Sequence, residues 1–221
     1  MNVLELFSGT GSVGKVCDKL GWNAISVDLE LPATHECDIM DFDYKQYPKD
    51  YFSIVWASPP CTNYSKLQDC WLGRMRKGEI YTKEIQEVEM DNDDRLVLKA
   101  LEIIEYFKPE LWCMENPATS RMKERPFMKD LPDYLVDYCM YSNWGYRKRT
   151  RIWTNKKDWN NLMCDGKGTC GNMVGRLHKT NLGNADRIKR ANIDNVNKFN
   201  ATNQQDRYRV PEDLILSLFI D

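Results

Sequence analysis

Long apolar runs and targeting segments are absent from this sequence of 221 residues. It contains no run of about 18 apolar residues, the length needed to cross a bilayer. The first residues lead directly into a strand-like segment, without the basic region of a secretory leader. Internal repeats and low-complexity segments are absent as well. We therefore expect a protein that is neither secreted nor embedded in a membrane.

A disulfide framework is also not expected, although the chain has 8 cysteines. Disulfides persist in oxidising compartments, and no secretion signal directs the chain to one. We therefore expect reduced thiols in a cytosol-like compartment.

Charge is distributed unevenly along the chain. With 42% hydrophobic residues, the chain can form one full core, which favours one domain with a small appendage. Residues 1–120 carry 12 Lys and Arg against 21 Asp and Glu, whereas residues 121–209 carry 19 against 9. This asymmetry indicates a polyanionic partner on one face, although basic residues that only solvate the smaller half would give the same pattern.

The first twenty residues are typical of a strand, a glycine turn and a helix. Gly9 and Gly11 permit a positive φ and a close approach of the backbone to a ligand. Asp28 ends a second predicted strand 17 residues after Gly11, and Asp38-Ile39 follows ten residues later. An acid at the end of the second strand is where ribose hydroxyls are bound, so the spacing fits a nucleoside cofactor.

A second candidate site follows the apolar segment 52–57. This segment has the β-branched and aromatic content of a buried strand, which Pro59 and Pro60 must end. Cys61 is therefore predicted on a stiff loop at the carboxyl edge of a sheet, where reactive groups are usually displayed. The alternative is a buried structural cysteine.

Charged residues follow two further strand-like segments. Glu115 comes directly after residues 110–114, which would bring its carboxyl group to the same sheet edge as Cys61. Arg149 and Arg151 alternate along a strand-like segment, so both would point to one face. A solvated loop acid and a surface basic run are the alternatives.

Four segments resemble, in the same order along the chain, motifs of the DNA (cytosine-5) methyltransferases. The matching segments are Leu6-Phe7-Ser8-Gly9-Thr10-Gly11, Pro59-Pro60-Cys61, Glu115-Asn116-Pro117 and Arg147-Lys148-Arg149-Thr150-Arg151. In the last segment, Arg147 stands where the family usually has glutamine. The resemblance covers residues 4–153 and implies an α/β, Rossmann-like S-adenosylmethionine-dependent methyltransferase fold with a small basic C-terminal region.

The resemblance also implies a cofactor site for S-adenosyl-L-methionine. Phe7 would stack on the adenine, Asp28 would hold the ribose, and Asp38 with Ile39 would contact the adenine edge. Asp28-Leu29 stands where the family more often has Glu and an aromatic residue. The implied cofactor-binding residues are Phe7, Ser8, Gly9, Thr10, Gly11, Ser12, Asp28, Asp38, Ile39 and Pro60.

The implied catalytic residues are Cys61, Glu115, Arg149 and Arg151. Carbon 5 of cytosine is a poor nucleophile, so a thiolate must first add to C6, which is the role of Cys61. Glu115 would stabilise charge at N3, and the two arginines would bind O2 and support Glu115 or a phosphate. The target cytosine must leave the base stack to reach Cys61.

Residues 66–94 form a polar stretch before a predicted crossover helix that ends at Lys108. In this position the family has a mobile loop that closes over DNA. Arg74, Arg76 and Lys77 are therefore candidate phosphate contacts, and a purely solvating loop is the alternative.

Three regions are predicted: a catalytic domain at 1–154, a small basic region at 155–205 in place of a full recognition domain, and a C-terminal helix within 206–221 that packs back on the catalytic domain. With so short a recognition region, binding would rest mainly on phosphates, with Arg187, Lys189 and Arg190 among the contacts, and site preference would be short or degenerate.

Cys164, Cys170 and His178 form a C-x5-C-x7-H pattern in the basic region. These residues could supply three ligands to a structural zinc ion. The spacing is looser than in a zinc knuckle and the sequence identifies no fourth ligand, so no metal site is expected.

The sequence thus predicts a cytoplasmic or nucleoid-associated enzyme that acts on double-stranded DNA. Two alternatives stay open, namely an RNA cytosine-5 methyltransferase of the same fold and a non-catalytic nucleic-acid-binding partner subunit. The sequence does not indicate the oligomeric state.

Overall fold

The computed structural model describes residues 1–180 and 207–220. The strands of this part are β1 (Asn2–Leu6), β2 (Asn23–Asp28), β3 (His35–Glu36), β4 (Ile54–Ala57), β5 (Met75–Arg76), β6 (Glu79–Ile80), β7 (Leu111–Pro117), β8 (Asp133–Asp137), β9 (Arg149–Thr154), β10 (Met173–Val174) and β11 (Leu177–His178). The helices are α1 (Ser12–Leu20), α2 (Lys83–Phe107) and α3 (Glu212–Phe219). Four 3-10 turns lie at Tyr44–Gln46, Lys66–Trp71, Arg121–Glu124 and Tyr138–Met140.

Seven strands form one central sheet in the order β3-β2-β1-β4-β7-β9-β8. The first five strands in this order, β3, β2, β1, β4 and β7, are parallel to one another, and β9 runs antiparallel to both β7 and β8. The carboxyl ends of β1, β4 and β7 therefore meet at one edge, beside the point where the chain order reverses. In open α/β sheets, ligands bind at such a switch point.

Helices cover both faces of the sheet because its strands are apolar on both sides. In β4, Ile54 and Trp56 point to the face covered by α1 and α3, whereas Val55 and Ala57 point to the face covered by α2. This pattern is expected of a parallel strand buried on both faces.

Helix α2 begins earlier than the sequence analysis predicted. It starts at Lys83, where the Thr82 Oγ1 accepts a hydrogen bond from the Ile85 backbone N–H over 3.3 Å. The acidic part of the 66–94 segment is therefore helical and not a loop. Its acids face Arg125, whose guanidinium pairs with Glu87, Asp91 and Asp94, and this distant cation stabilises them within the helix.

Helix α3 returns to α1. The Val210 backbone N–H donates to Ser12 Oγ over 3.0 Å, and Lys19 pairs with Glu212 at 2.5 Å. Leu214 and Leu218 are buried against the face that α1 also covers. The division at residues 154 and 205 stays a prediction, and Arg187, Lys189 and Arg190 lie outside the described residues.

No helix in the described ranges is both long enough and apolar enough to span a membrane.

Candidate active site

The turn between β1 and α1 has the backbone conformation that its glycines predict. Gly9 and Gly11 have φ values of 52° and 65°, and Phe7 has a φ of 57°, which is uncommon for a residue with a side chain. The Gly11 N–H donates to the Ser8 carbonyl over 2.8 Å and closes the turn. A bulky residue in a left-handed conformation marks a place where the surrounding structure imposes strain, as is common at ligand sites.

Glu5 is a site residue that the sequence analysis missed. Its buried carboxylate accepts hydrogen bonds from the backbone N–H groups of Val13 at 3.1 Å and Gly14 at 3.0 Å, in the first turn of α1. Burial raises the pKa of Glu5 from 4.5 to about 7, against the opposite effect of the two N–H bonds. An acid inside an otherwise apolar strand was the signal that could have identified it.

A pH-dependent stability follows from Glu5. Because its pKa is raised on folding, the folded state holds more protons than the unfolded state between pH 4.5 and about 7. Stability is therefore greatest below this window and falls as the pH rises through it, by an amount on the order of 3 kcal/mol.

The Glu5→Gln variant should lack the part of the stability that depends on pH between 4.5 and about 7. Urea unfolding of both proteins at several values between pH 5 and 8 measures the difference in slope. Parallel stability curves for wild type and variant would show that Glu5 does not titrate in this way.

Asp28 lies beside the glycine turn, but its carboxylate is already engaged. It accepts hydrogen bonds from the backbone N–H groups of Gly9 at 2.7 Å, Glu30 at 2.9 Å and Leu31 at 2.8 Å. A carboxylate has about four lone-pair sites, so one acceptor position remains for a ligand hydroxyl. Asp28 thus shapes the turn in addition to the ribose role predicted for it.

The second pair of predicted adenine contacts is only partly accessible. The Asp38 carboxylate accepts the Met40 backbone N–H over 2.9 Å, and the Ile39 side chain is buried in the core with Phe42. The side chain of Ile39 is therefore a core residue, and its backbone is what remains for a contact with a cofactor.

Cys61 lies on a fixed loop beyond β4, half-buried. The Asn116 side chain, which follows Glu115 in β7, donates to the Pro59 carbonyl over 2.9 Å. On the other side, Asn63 Nδ2 donates to Asp93 at 3.1 Å and the Tyr64 hydroxyl donates to Asp94 at 2.7 Å. The sheet and α2 therefore hold the thiol loop from both ends.

Cys61 and Glu115 are close enough to influence each other electrostatically. Burial raises the pKa of the Cys61 thiol above its ordinary value, the charge of Glu115 raises it further, and the charge of Lys148 lowers it. Lys148 Nζ lies 3.4 Å from Glu115 Oε1, and the Tyr138 hydroxyl donates to the same oxygen over 3.0 Å. Two donors therefore orient the Glu115 carboxylate beside the thiol.

Arg149 and Arg151 do not support Glu115, in contrast to the expectation from the resemblance. They share one face of β9, as predicted, but this is the face of Asn116, which pairs with Arg151 in the β7–β9 register. Arg149 instead binds Asp137 at 3.0 Å, and Arg151 binds Asp133. Lys148, one position before Arg149, lies on the opposite face and reaches Glu115.

The three predicted phosphate contacts lie around the short β5–β6 hairpin. Arg76 pairs with Glu89 at 2.7 Å and stacks over the Tyr81 ring, so it stabilises the hairpin. Lys77 pairs with the same carboxylate at 3.2 Å, yet 73% of its side chain is exposed, and Arg74 is exposed as well. Arg74 and Lys77 are therefore more accessible to a phosphate than Arg76 is.

A cleft of about 1260 Å³ opens beside the glycine turn. Gly9, Thr10 and Ser12 border it on one side, and residues 139–144 and 170–172 border it on the other. Cys61 and Asp28 do not line this cleft. It therefore adjoins the predicted cofactor turn, and Cys61 lies outside it.

Comparison with known proteins shows a viral relative that is similar to this chain over most of its length. The chain is 43% identical over 175 residues to the protein named "Probable DNA (cytosine-5)-methyltransferase" of Frog virus 3 (isolate Goorha), and the match covers 78% of this chain and 79% of the relative. No protein-family model matches the chain.

A solved structure of a methyltransferase shares the fold. The Entamoeba histolytica methyltransferase EhMeth superposes with a TM-score of 0.50 at 16% identity, over 74% of this chain and 55% of that one. The S. pombe Dnmt2 methyltransferase gives a TM-score of 0.44 at 14% identity, over 75% of this chain and 52% of that one. The chain spans about half the length of these two structures. The predicted α/β, Rossmann-like methyltransferase fold is confirmed.

Proposed function

Since the chain belongs to the family of DNA (cytosine-5)-methyltransferases, we propose that it transfers a methyl group from S-adenosyl-L-methionine to carbon 5 of cytosine in double-stranded DNA. The observation that carries the proposal is the placement of Cys61 beside an oriented Glu115 at the carboxyl edge of the sheet. A thiol and a carboxyl group in this arrangement are what addition to C6 of a cytosine requires.

The residues of the glycine turn fit the proposed cofactor. The buried Ser8 hydroxyl has no hydrogen-bond partner within the described part of the chain, which leaves it for a ligand. Phe7 offers an aromatic face for the adenine, and Asp28 keeps one acceptor position for a ribose hydroxyl. The cofactor, when bound, supplies an electrophilic methyl group. The proposed binding residues are those of the sequence prediction, with Ile39 limited to its backbone.

Cys61 is the proposed nucleophile. Its thiol must lose a proton before the Sγ–C6 bond forms, because the thiolate is the reactive species. Burial opposes this ionisation, and the positive charge of Lys148 favours it. As the bond forms, the electron pair of the C5–C6 double bond moves to C5. That pair would bond to the methyl group that the cofactor supplies. When the C5 proton later leaves to solvent, the electron pair of the C5–H bond restores the C5–C6 double bond, and Sγ is expelled with the electron pair of the Sγ–C6 bond.

Glu115 is proposed to bind the N3 edge of the cytosine during this addition. Charge that develops on the ring is stabilised by a group held in place beforehand. Tyr138 and Lys148 both donate to Glu115 Oε1, which orients the carboxyl group. Lys148 is therefore a positioning residue that the sequence analysis did not single out.

Arg149 and Arg151 remain proposed contacts of the target nucleotide. The Arg149 side chain is 40% exposed despite its pair with Asp137, so part of the guanidinium is available to a phosphate or to the cytosine O2. The flipped base would enter from this edge, at a cost of a few kcal/mol that such contacts offset.

Replacing Asp28 by Ala should raise the KM for S-adenosylmethionine by about tenfold or more, because one hydrogen bond to a charged group contributes about 1.5–3 kcal/mol. The KM for DNA should change much less, because the ribose belongs to the cofactor. The lost contact contributes equally to binding in the ground state and in the transition state.

Asp28→Asn is the matched control for the turn, because its amide oxygen can still accept a backbone N–H. Its KM for the cofactor should fall between those of wild type and Asp28→Ala. Calorimetry that finds the cofactor affinity of Asp28→Ala unchanged would refute the assignment.

The function itself is tested by bisulfite sequencing after expression in a host without DNA methylation. Converted total RNA from the same cells is sequenced in parallel. Methylated cytosines in DNA alone support the proposal, and methylation of RNA alone supports the alternative substrate. Unmodified DNA and RNA, with soluble folded protein present, would favour a non-catalytic nucleic-acid-binding subunit.

A further inference from the structure

Four potential metal ligands meet beyond the end of β8, away from Cys61. They are Cys139, Cys164, Cys170 and His178, and their ligand atoms all lie within 4.8 Å of one another. The sequence pattern identified three of them. The fourth, Cys139, lies 25 residues before Cys164 and belongs to the 3-10 turn that follows β8.

The distances within this cluster match those of a tetrahedral zinc site. Bonds of about 2.3 Å from Zn to sulfur and about 2.0 Å from Zn to nitrogen place sulfur and nitrogen roughly 3.5 Å apart at a tetrahedral angle. His178 Nε2 lies 3.7 Å from Cys164 Sγ and 3.6 Å from Cys170 Sγ. All three thiols are free, and two of them are buried.

Hydrogen bonds and a short hairpin hold the backbone around the four ligands in place. The Gly166 N–H donates to Cys164 Sγ over 3.4 Å, a contact that holds this sulfur in place. The buried Asn172 side chain donates to the carbonyls of Cys139 at 2.8 Å and Cys170 at 3.2 Å. The β10–β11 hairpin places His178 opposite Met173. Three chain segments therefore converge on one point.

We propose that Cys139, Cys164, Cys170 and His178 bind one structural Zn²⁺ ion. A partly buried group of three thiols and an imidazole forms a closed Cys₃His ligand set with no position left for a substrate, which is typical of a structural site. The ion joins the loop at 164–178 to the end of β8. Cys139 and Cys170 also border the cleft beside the glycine turn, so the ion fixes one wall of that cleft.

The site also changes the expectation for Cys139. A free, buried cysteine that only packs in the core, such as Cys17 or Cys113, is expected to tolerate Ser or Ala with only packing losses. As a zinc ligand, Cys139 should instead be required for metal binding, because a structural ion contributes folding free energy directly.

Metal analysis of the full chain, purified under reducing conditions from zinc-supplemented cells, tests the proposal. About one zinc ion per chain is expected. After removal of the ion with a chelator, titration with Co²⁺ should produce thiolate charge-transfer and tetrahedral ligand-field absorption that saturates at one equivalent. The Cys139→Ala and Cys164→Ala variants should lose both signals, whereas Cys70→Ser, at an exposed cysteine outside the cluster, should keep them.

The loss of zinc from an alanine variant could also result from poor folding, so a His178→Cys variant provides a second test. It replaces one zinc ligand by another and should retain stoichiometric zinc. Wild-type protein without zinc and without a Co²⁺ spectrum would overturn the proposal, as would stoichiometric iron in its place. A disulfide between any two of the three cysteines, mapped by mass spectrometry in the reduced preparation, would overturn it as well.

Discussion

The Cys61→Ser variant is expected to lose methyl transfer by at least about a thousandfold, which corresponds to about 4 kcal/mol of transition-state stabilisation. A serine hydroxyl ionises far less readily than a thiol, so it cannot replace the thiolate in the addition to C6. Single-turnover transfer of labelled methyl groups to DNA measures the loss directly.

Trapping on DNA with 5-fluorocytosine gives a second measurement of the same variant. In that base the fluorine replaces the C5 proton, so elimination is blocked and wild-type protein should remain covalently attached. The Cys61→Ser variant should form no denaturant-resistant complex. Cys70→Ser, at an exposed cysteine, is the control and should be trapped like wild type. Trapping or normal turnover by Cys61→Ser would exclude the proposed nucleophile.

The Asp137→Ala variant is expected to be destabilised by about 3–5 kcal/mol, the usual cost of removing one partner from a buried ion pair. The Asp137 carboxylate is 0% exposed and accepts hydrogen bonds from Arg147, Arg149 and the Cys164 backbone N–H. Without it, two guanidinium groups and a buried N–H lose their acceptor. Thermal unfolding should show a melting temperature lower by about 6–20 °C.

Asp133→Ala is the matched control for this measurement. Asp133 pairs with Arg151 on the same two strands, but 29% of its side chain is exposed. A pair in contact with solvent contributes about 1 kcal/mol or less, so the melting temperature should change by a few degrees at most. Equal decreases in melting temperature for the two variants would show that the burial of Asp137 does not determine how much this carboxylate contributes to stability.

The sheet edge could be predicted from the sequence because each reactive residue follows a strongly apolar run. The parallel register of β4 and β7, in which Ala57 lies opposite Met114, then brings the residues that follow Ala57 and Met114 together. Cys61 and Glu115 are neighbours for this reason. The alternation of side chains along a strand was also enough to predict that Arg149 and Arg151 share one face of β9.

The strand pattern could not reveal which face that was. The antiparallel register of β9 on β7 decides it, and this register depends on contacts between residues more than 30 positions apart. The sequence analysis therefore attributed support of Glu115 to the arginines, when Lys148 lies on the correct side. Cys139 was missed as a fourth ligand for the same reason, since its partners lie on a distant loop.

Helix α2 shows the same limit for local structure. Its first turns are rich in acids, which repel one another in an isolated helix, so the sequence favours a loop. The cation that offsets this repulsion, Arg125, comes from another part of the chain. Non-local pairing of this kind overrides local preference.

The attachment of the Cys61 loop to Asn116, Asp93 and Asp94 has an entropic consequence for the encounter with DNA. A loop that became ordered only on binding would lose about 1–2 kcal/mol per residue of backbone entropy each time a target arrived. Here the hydrogen bonds of Asn63 and Tyr64 order the loop during folding. In the proposed reaction, the thiol would meet an incoming base at a high effective molarity, and the free energy of DNA binding would be left for extracting that base from the stack.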